Sequence, residues 1–299
     1  MAATKSKCYP CSECGKHKFS RAGVVCFWCR NGRPPAIAPI YIATKGRPAA
    51  PVFKALGNEG IPFTIVVEPQ DEQAYADALP GVPRLVLPKN DQGLPYARQF
   101  IIEHARGVLP DDAWFWIIDD DTSGFATVEG KRCVPAPAVE VLSAAQDLAA
   151  SVAGCAQASL EYRQYAWSAT KDYTVDTFCD CVVLFHVGRT RGIDYRTDIK
   201  LKGDREYTLR LILAGRVVLR MHRLAFSSPR NGTNVGGLAD TYAIDGAERE
   251  AAEAVVRSHP GLCKLNIKAD GRPDVKFNWK AARKRAEAAR DTMNLWLEG

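Results

Sequence analysis

Trp114-Phe115-Trp116-Ile117-Ile118 runs directly into Asp119-Asp120-Asp121. Five consecutive apolar residues, aromatic and β-branched, predict a buried strand that ends where the chain meets solvent. Three adjacent carboxylates at such an end repel one another unless a cation neutralises them. On an extended backbone Asp119 and Asp121 share one face while Asp120 points to the other. The pair then forms a two-pronged grip for a hard, oxygen-seeking ion, Mg²⁺ or Mn²⁺. A ligand-free acidic turn is the plainer alternative, but it has little need of three charges in a row.

Upstream, strands are expected at residues 40–43, 63–67 and 85–87, and helices at 49–58 and 95–106. Downstream, residues 136–159 are alanine-rich and read as helix, 181–185 as strand, 202–213 as helix closed by Gly215, and 217–219 as a late strand. Strand and helix alternate, so the expected class is α/β: a largely parallel sheet flanked by helices, with ligands at the carboxyl ends of its strands. Asn231-Gly-Thr-Asn-Val-Gly-Gly237 reads as a mobile loop able to close over a ligand, and residues 247–258 and 279–297 as tail helices. The expected organisation is a module at 1–35, a main domain at 36–238 and a basic helical extension at 239–299.

The chain has 299 residues and a net charge of +6. Residues 1–35 hold seven basic groups and one acid, and the remainder balances at 33 against 33, so the basic excess belongs to the N-terminal module. No run approaches the roughly 18 apolar residues that span a bilayer, and no apolar leader is evident, so a cytoplasmic, reducing setting is expected. There, cysteines favour metal over disulfides. Cys11-x-x-Cys14 and Cys26-x-x-Cys29 have the spacing of a structural Zn²⁺ site, with Cys8 or His17 as an alternative ligand. Lys and Arg interleaved with Phe19, Phe27 and Trp28 tilt this module toward a polyanion, while bare structural support is the other reading. The tail's Lys276, Lys280, Arg283, Lys284, Arg285 and Arg290 are equally readable as a phosphate-tracking or a solvated face.

Taken in order, these parts resemble nucleotide-sugar-dependent glycosyltransferases of the GT-A fold over residues 38–230. Thr44-Lys45-Gly46-Arg47 looks like the opening nucleotide-binding turn, and Glu68 like the acid that touches base or ribose. Gly93-Leu-Pro-Tyr-Ala-Arg98-Gln99 is similar to a Gly-x(4)-Arg-Asn segment, with Gln99 where Asn is usual. Asp119-Asp120-Asp121 stands where the family's Asp-x-Asp does. Thr-Lys-Gly-Arg-Pro, Asp-Asp-Asp and Asn-Gly-Thr-Asn-Val-Gly-Gly together resemble phage enzymes associated with TET/JBP oxygenases, which are thought to glycosylate hydroxymethylated pyrimidines in DNA.

The resemblance implies a UDP-sugar donor bound by Thr44, Lys45, Gly46, Arg47, Glu68, Arg98, Asp119 and Asp120. It implies a Mn²⁺ or Mg²⁺ ion on Asp119, Asp121 and His222. Either Asp204 or Glu206 would be the base of an inverting transfer, and a retaining mechanism would need neither. The implied acceptor is double-stranded DNA carrying 5-hydroxymethylcytosine, in the host cytoplasm if the gene is a phage's. A non-DNA acceptor, a nucleotidyltransferase and a metal-dependent nuclease stay open, as does a zinc-ribbon nucleic-acid-binding protein without activity.

Overall fold

The computed structural model describes residues 9–10, 18–19, 37–229, 236–237 and 239–297. Cys8, Cys11, Cys14, His17, Cys26 and Cys29 lie outside the described residues, as does the 231–235 part of the glycine-rich loop. A short antiparallel pair joins Tyr9–Pro10 to Lys18–Phe19.

The main body is a ten-stranded sheet. Its first half is parallel: β1 (Ile40–Ala43) lies between β2 (Thr64–Val67) and β4 (Trp114–Ile118), and β3 (Arg84–Val86) flanks β2. Three helices serve this half: α1 (Pro51–Gly57), α2 (Glu72–Ala78) and α3 (Leu94–Val108). Next come the hairpin β5 (Gly124–Glu129) and β6 (Arg132–Ala136), helix α4 (Ala138–Ser151), β7 (Cys155–Tyr162), α5 (Arg163–Ala166) and β8 (Tyr173–Val175). The body closes with β9 (Val182–His186), α6 (Gly203–Leu213) and β10 (Val217–Ser227). Across the sheet the order is β3-β2-β1-β4-β9-β7-β10-β5-β6, with β8 also on β10. β9 runs antiparallel to both β4 and β7, whereas β7 and β10 are parallel. The expected mixed α/β sheet is therefore present, parallel on the β1–β4 side and mixed beyond it.

Strand alternation sorts β4 between two cores. Phe115 and Ile117 pack with α3 and α6, while Trp116 and Ile118 pack with α1, α2 and α4. All four are at most 2% exposed, as a strand covered on both faces should be. The tail joins the first core: α8 (Ala247–Ser258), the hairpin β11 (Cys263–Ile267) and β12 (Pro273–Phe277), and α9 (Trp279–Leu297) contribute Val255, Val275 and Ala286, and the turn before β11 adds Leu262. A short α7 (Ala239–Ala243) precedes α8. Among the described residues no helix is long and apolar enough to cross a membrane.

One expected element is wrong. The helix read at 136–159 stops at Ser151, the chain turns through Gly154 at φ 72°, and residues from Cys155 form β7. This strand lies in mid-sheet and is buried at seven of its eight positions, so tight packing selects Cys155, Ala156 and Ala158. Those small residues carry little intrinsic strand preference and prolong the alanine-rich pattern of α4.

Candidate active site

The carboxyl ends of β1, β2, β4 and β7 open into a cavity of about 760 Å³. Asp119, Asp120 and Asp121 all line it. Alternation carries on for two residues past β4. Asp119 turns toward α3 and meets Arg98 Nη2 at 2.7 Å, and Asp120 turns toward the α1–α2 side. There Asp120 accepts hydrogen bonds from Thr44 Oγ1 at 2.8 Å and Arg47 Nη1 at 2.7 Å. The extended geometry expected for Asp121 does not hold. Thr122 N donates to Asp119 O at 3.1 Å, closing a turn over Asp120 and Asp121. Asp121 reaches the cavity through that turn rather than through strand parity.

The carboxylates differ in charge. Burial, then the charges of Asp119 and Asp120, push Asp121 up to about 7. Burial also raises Asp120, with Arg47 and Thr44 opposing it. This is an under-compensated carboxylate field, the condition that favours a bound cation. Among the described residues no three His, Cys, Asp or Glu side chains are grouped to cage a metal. A Mg²⁺ or Mn²⁺ ion fits this donor set in the manner usual at phosphate sites, on one or two carboxylates with the remaining positions left to substrate oxygens and water.

The loop after β1 forms the next wall. Lys45 contacts Asp91 and lies 3.3 Å from Glu68, itself 6% exposed. Desolvation would lower the Lys45 pKa, but Asp91 and Glu68 outweigh it and raise the value. Glu68 also accepts from Gln70 Nε2 and Asp91 N, which fixes its carboxylate. Gly236 and Gly237 lie against this loop: Gly237 N donates to Lys45 O at 3.1 Å, and Arg47 Nη2 to Gly236 O at 2.9 Å. A Cβ on Gly236, at φ 81°, would stand 2.9 Å from Lys45 O, so only glycine permits the approach.

Opposite, two helices start at the cavity. α3 begins at Leu94 and α6 at Gly203, where a Cβ would press 2.9 Å from Pro95 Cγ. The positive ends of their dipoles favour an anion between them, although the Arg205 N–H of α6 already donates to Asp204 Oδ1. Arg98, 5% exposed, is held above its already high pKa: desolvation lowers it, and Asp119, with Tyr195 and Asp204, more than offsets that.

The two base candidates separate here. Asp204 lines the cavity, and burial raises its pKa against the pull of Arg98. Glu206 is not among the lining residues; it is fully buried, accepting from Arg210 Nε at 2.8 Å and lying 3.0 Å from His259 Nε2. His222 is also kept away from the cavity lining. β10 slips register against β7 between Met221 and Ala225, and His222 falls within the slip. Its Nδ1 meets Glu161 at 2.8 Å and its Nε2 meets Thr174 Oγ1 at 2.8 Å.

Several lining residues escaped the sequence reading. Lys200 and Lys202 precede α6, and Lys202 takes a left-handed φ of 62° to pair with Glu248 and Asp274 of the tail. Two lysines before a helix start, where acids are usual, were the available signal. Tyr242, Lys268 and Arg272 of the tail complete the far wall, and nothing local to the sequence marks them.

The sequence profile described as TET-Associated Glycosyltransferase matches residues 38–237, about two-thirds of the chain and the segment that supplies most of this cavity's lining. The protein belongs to that family. No curated protein matches the glycosyltransferase. Among solved structures it is similar to GalNAc-T7 crystallised with UDP, GalNAc and Mn²⁺, at 6% identity and a TM-score of 0.44, covering 64% of this chain. This chain spans 44% of the length of that one. It is also similar to 4-diphosphocytidyl-2C-methyl-D-erythritol synthase (12% identity, TM-score 0.40, 69% of this chain and 95% of that one). A third likeness is to a protein assigned as a nucleotide-diphospho-sugar transferase of Desulfovibrio desulfuricans (11% identity, TM-score 0.40, 75% and 98%). The family match, not these distant likenesses, carries the assignment.

Proposed function

We propose that this glycosyltransferase moves a sugar from a UDP-sugar to the hydroxymethyl group of 5-hydroxymethylcytosine in double-stranded DNA. The observation that supports it best is the cavity itself, which gathers an under-compensated aspartate cluster, two helix starts and a desolvated carboxylate around one space.

In this reading the turn after β1, with Thr44, Lys45, Gly46 and Arg47, receives the nucleotide, and Glu68 touches its base or ribose. Asp119 and Asp121 hold Mn²⁺ or Mg²⁺, which when bound supplies Lewis-acid stabilisation of the departing diphosphate. Arg98 anchors Asp119 and adds fixed positive charge beside the leaving group. Asp204 takes the proton from the acceptor hydroxyl as its oxygen bonds to the anomeric carbon and the bond from that carbon to the diphosphate breaks. A raised carboxyl pKa suits that role, because the proton acceptor is a stronger base. Glu206 and His222, tied to other partners away from the cavity lining, are left as packing groups. Cys11, Cys14, Cys26 and Cys29 remain our zinc set, with Cys8 as substitute, and the division at 35 and 238 belongs to the same proposal. Metal analysis of purified protein tests the zinc, with one Zn²⁺ per chain expected and none overturning it.

The deciding experiment mixes purified protein, Mn²⁺ and individual UDP-sugars with hydroxymethylcytosine-containing DNA and weighs the released nucleosides. A gain of one sugar is expected. No gain with any donor would remove the DNA acceptor, and turnover on another hydroxyl compound would keep the donor half.

A further inference from the structure

A second cleft, of about 520 Å³, lies beside the sugar-transfer cavity. Lys131 comes from the β5–β6 turn, Cys133 from β6, Tyr162 from the end of β7, Arg163 from α5, Trp167 from just beyond it and Ser228 from the end of β10. Tyr162 and Ser228 also line the first cavity, so the two spaces adjoin at those residues.

The cleft combines two chemistries. The first is aromatic. Tyr162 packs on Phe226 with ring centres 4.7 Å apart, and Tyr165 stands edge-on to Tyr162 at 6.1 Å. Tyr165 is 58% and Trp167 54% exposed, unusually open for rings of that size. The Trp167 indole N–H donates to Gln164 O at 2.9 Å, which satisfies its polar atom within its own turn. The second is cationic. Lys131 and Arg163 line the cleft and are both exposed. Two acids of the same region are already engaged, Glu161 by Arg220 and His222 and Asp172 by Arg223. The lining itself holds two cations and no carboxylate.

Exposed rings flanked by cations form the surface that binds single-stranded or extruded nucleotides, with bases stacked on the aromatic faces and phosphates on Lys and Arg. A sugar polymer would use the rings but has no need of the cations. We propose that this cleft holds the nucleotides flanking the acceptor base, with a base stacked on Trp167 and phosphates on Lys131 and Arg163, so that the strand passes over Tyr162 into the transfer cavity. The proposal rests on the nucleic-acid acceptor of the preceding section. It adds that the target nucleotide leaves the duplex stack, as enzymes that do chemistry on a base require, with its neighbours in the cleft that adjoins the transfer cavity at Tyr162 and Ser228.

The test uses the full chain and three readouts: KM for a hydroxymethylcytosine oligonucleotide, affinity for UDP with Mn²⁺, and mass-mapped photocrosslinks from 5-iodouracil placed beside the acceptor. Trp167→Ala is expected to raise the acceptor KM roughly tenfold or more, the scale of one lost base stack. Trp167→Phe should restore most of it. The double variant Lys131→Glu and Arg163→Glu should raise KM further in low salt than in high salt. UDP affinity should stay within twofold throughout, and crosslinks should fall on Trp167 or Tyr165. Sugar transfer with an unchanged KM in these variants, or crosslinks confined to residues 1–35 or to the tail, would overturn the cleft while leaving the DNA acceptor standing. UDP binding with neither transfer to nor crosslinking of any oligonucleotide would overturn both. A response of KM to Trp167→Ala with an oligosaccharide acceptor alone would assign the cleft to carbohydrate instead.

Discussion

Two acidic clusters sit on either side of β9, one after β4 and one around the end of β7, and their surroundings give them opposite characters. At the end of β4, Asp119, Asp120 and Asp121 share two arginines, Arg98 and Arg47, and the third carboxyl is driven up to about 7. At the end of β7 and just before β9, Glu161 and Asp180 clasp one buried guanidinium, Arg220, at 2.7 and 2.6 Å, while His222 holds the other oxygen of Glu161. There burial alone would raise Glu161, yet the His222 and Arg220 hydrogen bonds and the Arg220 charge bring it down to about 2. Carboxylates that a fold has satisfied hold it together. Carboxylates crowded together beside fewer cations suit a bound cation.

The sharpest way to break this contrast sets Asp204 against Glu206, two residues apart on α6. Asp204→Asn should cut sugar transfer by about 10²–10⁴-fold, the range of lost general-base catalysis, with the melting temperature barely changed. Glu206→Gln should do the reverse, costing roughly 1–3 kcal/mol of stability through its Arg210 and His259 partners and leaving turnover per folded molecule intact. Equal loss of turnover in both variants would undo the assignment made from cavity lining.

Arg220→Met tests the satisfied cluster. It leaves Glu161 and Asp180 buried without their shared cation, and about 3–5 kcal/mol of destabilisation is expected in urea unfolding. The guanidinium also lies over Phe178 at 4.6 Å and Tyr162 at 5.3 Å, so methionine retains only the packing part. A loss below about 1 kcal/mol would mean that the network is ornamental.

Asp121→Asn tests the excess cluster. Transfer should fall by about 10²–10³-fold, the usual cost of removing one electrostatic stabiliser, and UDP affinity should lose its dependence on Mn²⁺. Stability should hold or rise, because the substitution removes a carboxylate crowded by Asp119 and Asp120. A clear fall in melting temperature would show that this cluster, too, is structural.

Only the Asp119–Asp121 half of this contrast was legible in sequence; Glu161, Asp180 and Arg220 were hidden for a physical reason. β4 announces itself because burial on both faces demands an unbroken apolar run, and the acids after it mark the strand's wet end. Thr44, Lys45, Arg47, Glu68 and Arg98 were placed by the resemblance to GT-A enzymes, and all five line the cavity. β7 was unreadable because its small residues answer to neighbours far away in sequence, Val218 and Leu219 of β10 and Val183 to Phe185 of β9. The choice between Asp204 and Glu206 was equally closed. Helix periodicity separates the two faces of α6, but only the arrival of His259 from the tail says which face is sealed.

The smallest expected effect concerns acid. The Glu161 carboxyl titrates near 2 in the folded chain against an ordinary 4.5, so folding favours its ionised form. A depressed folded pKa contributes stability that is complete above the unfolded value and fades as pH falls from about 4.5 toward 2. The full difference amounts to about 3 kcal/mol as an upper figure. Unfolding free energy measured between pH 6 and pH 3 should therefore fall more steeply for the native protein than for Glu161→Gln, which has no proton to take up. Because Arg220 and Asp180 stay paired in that variant, its curve should be flatter rather than merely lower. Parallel curves would mean that Glu161 ionises no more readily folded than unfolded, and the line drawn between a satisfied cluster and an expectant one would then have to rest on Arg220 alone.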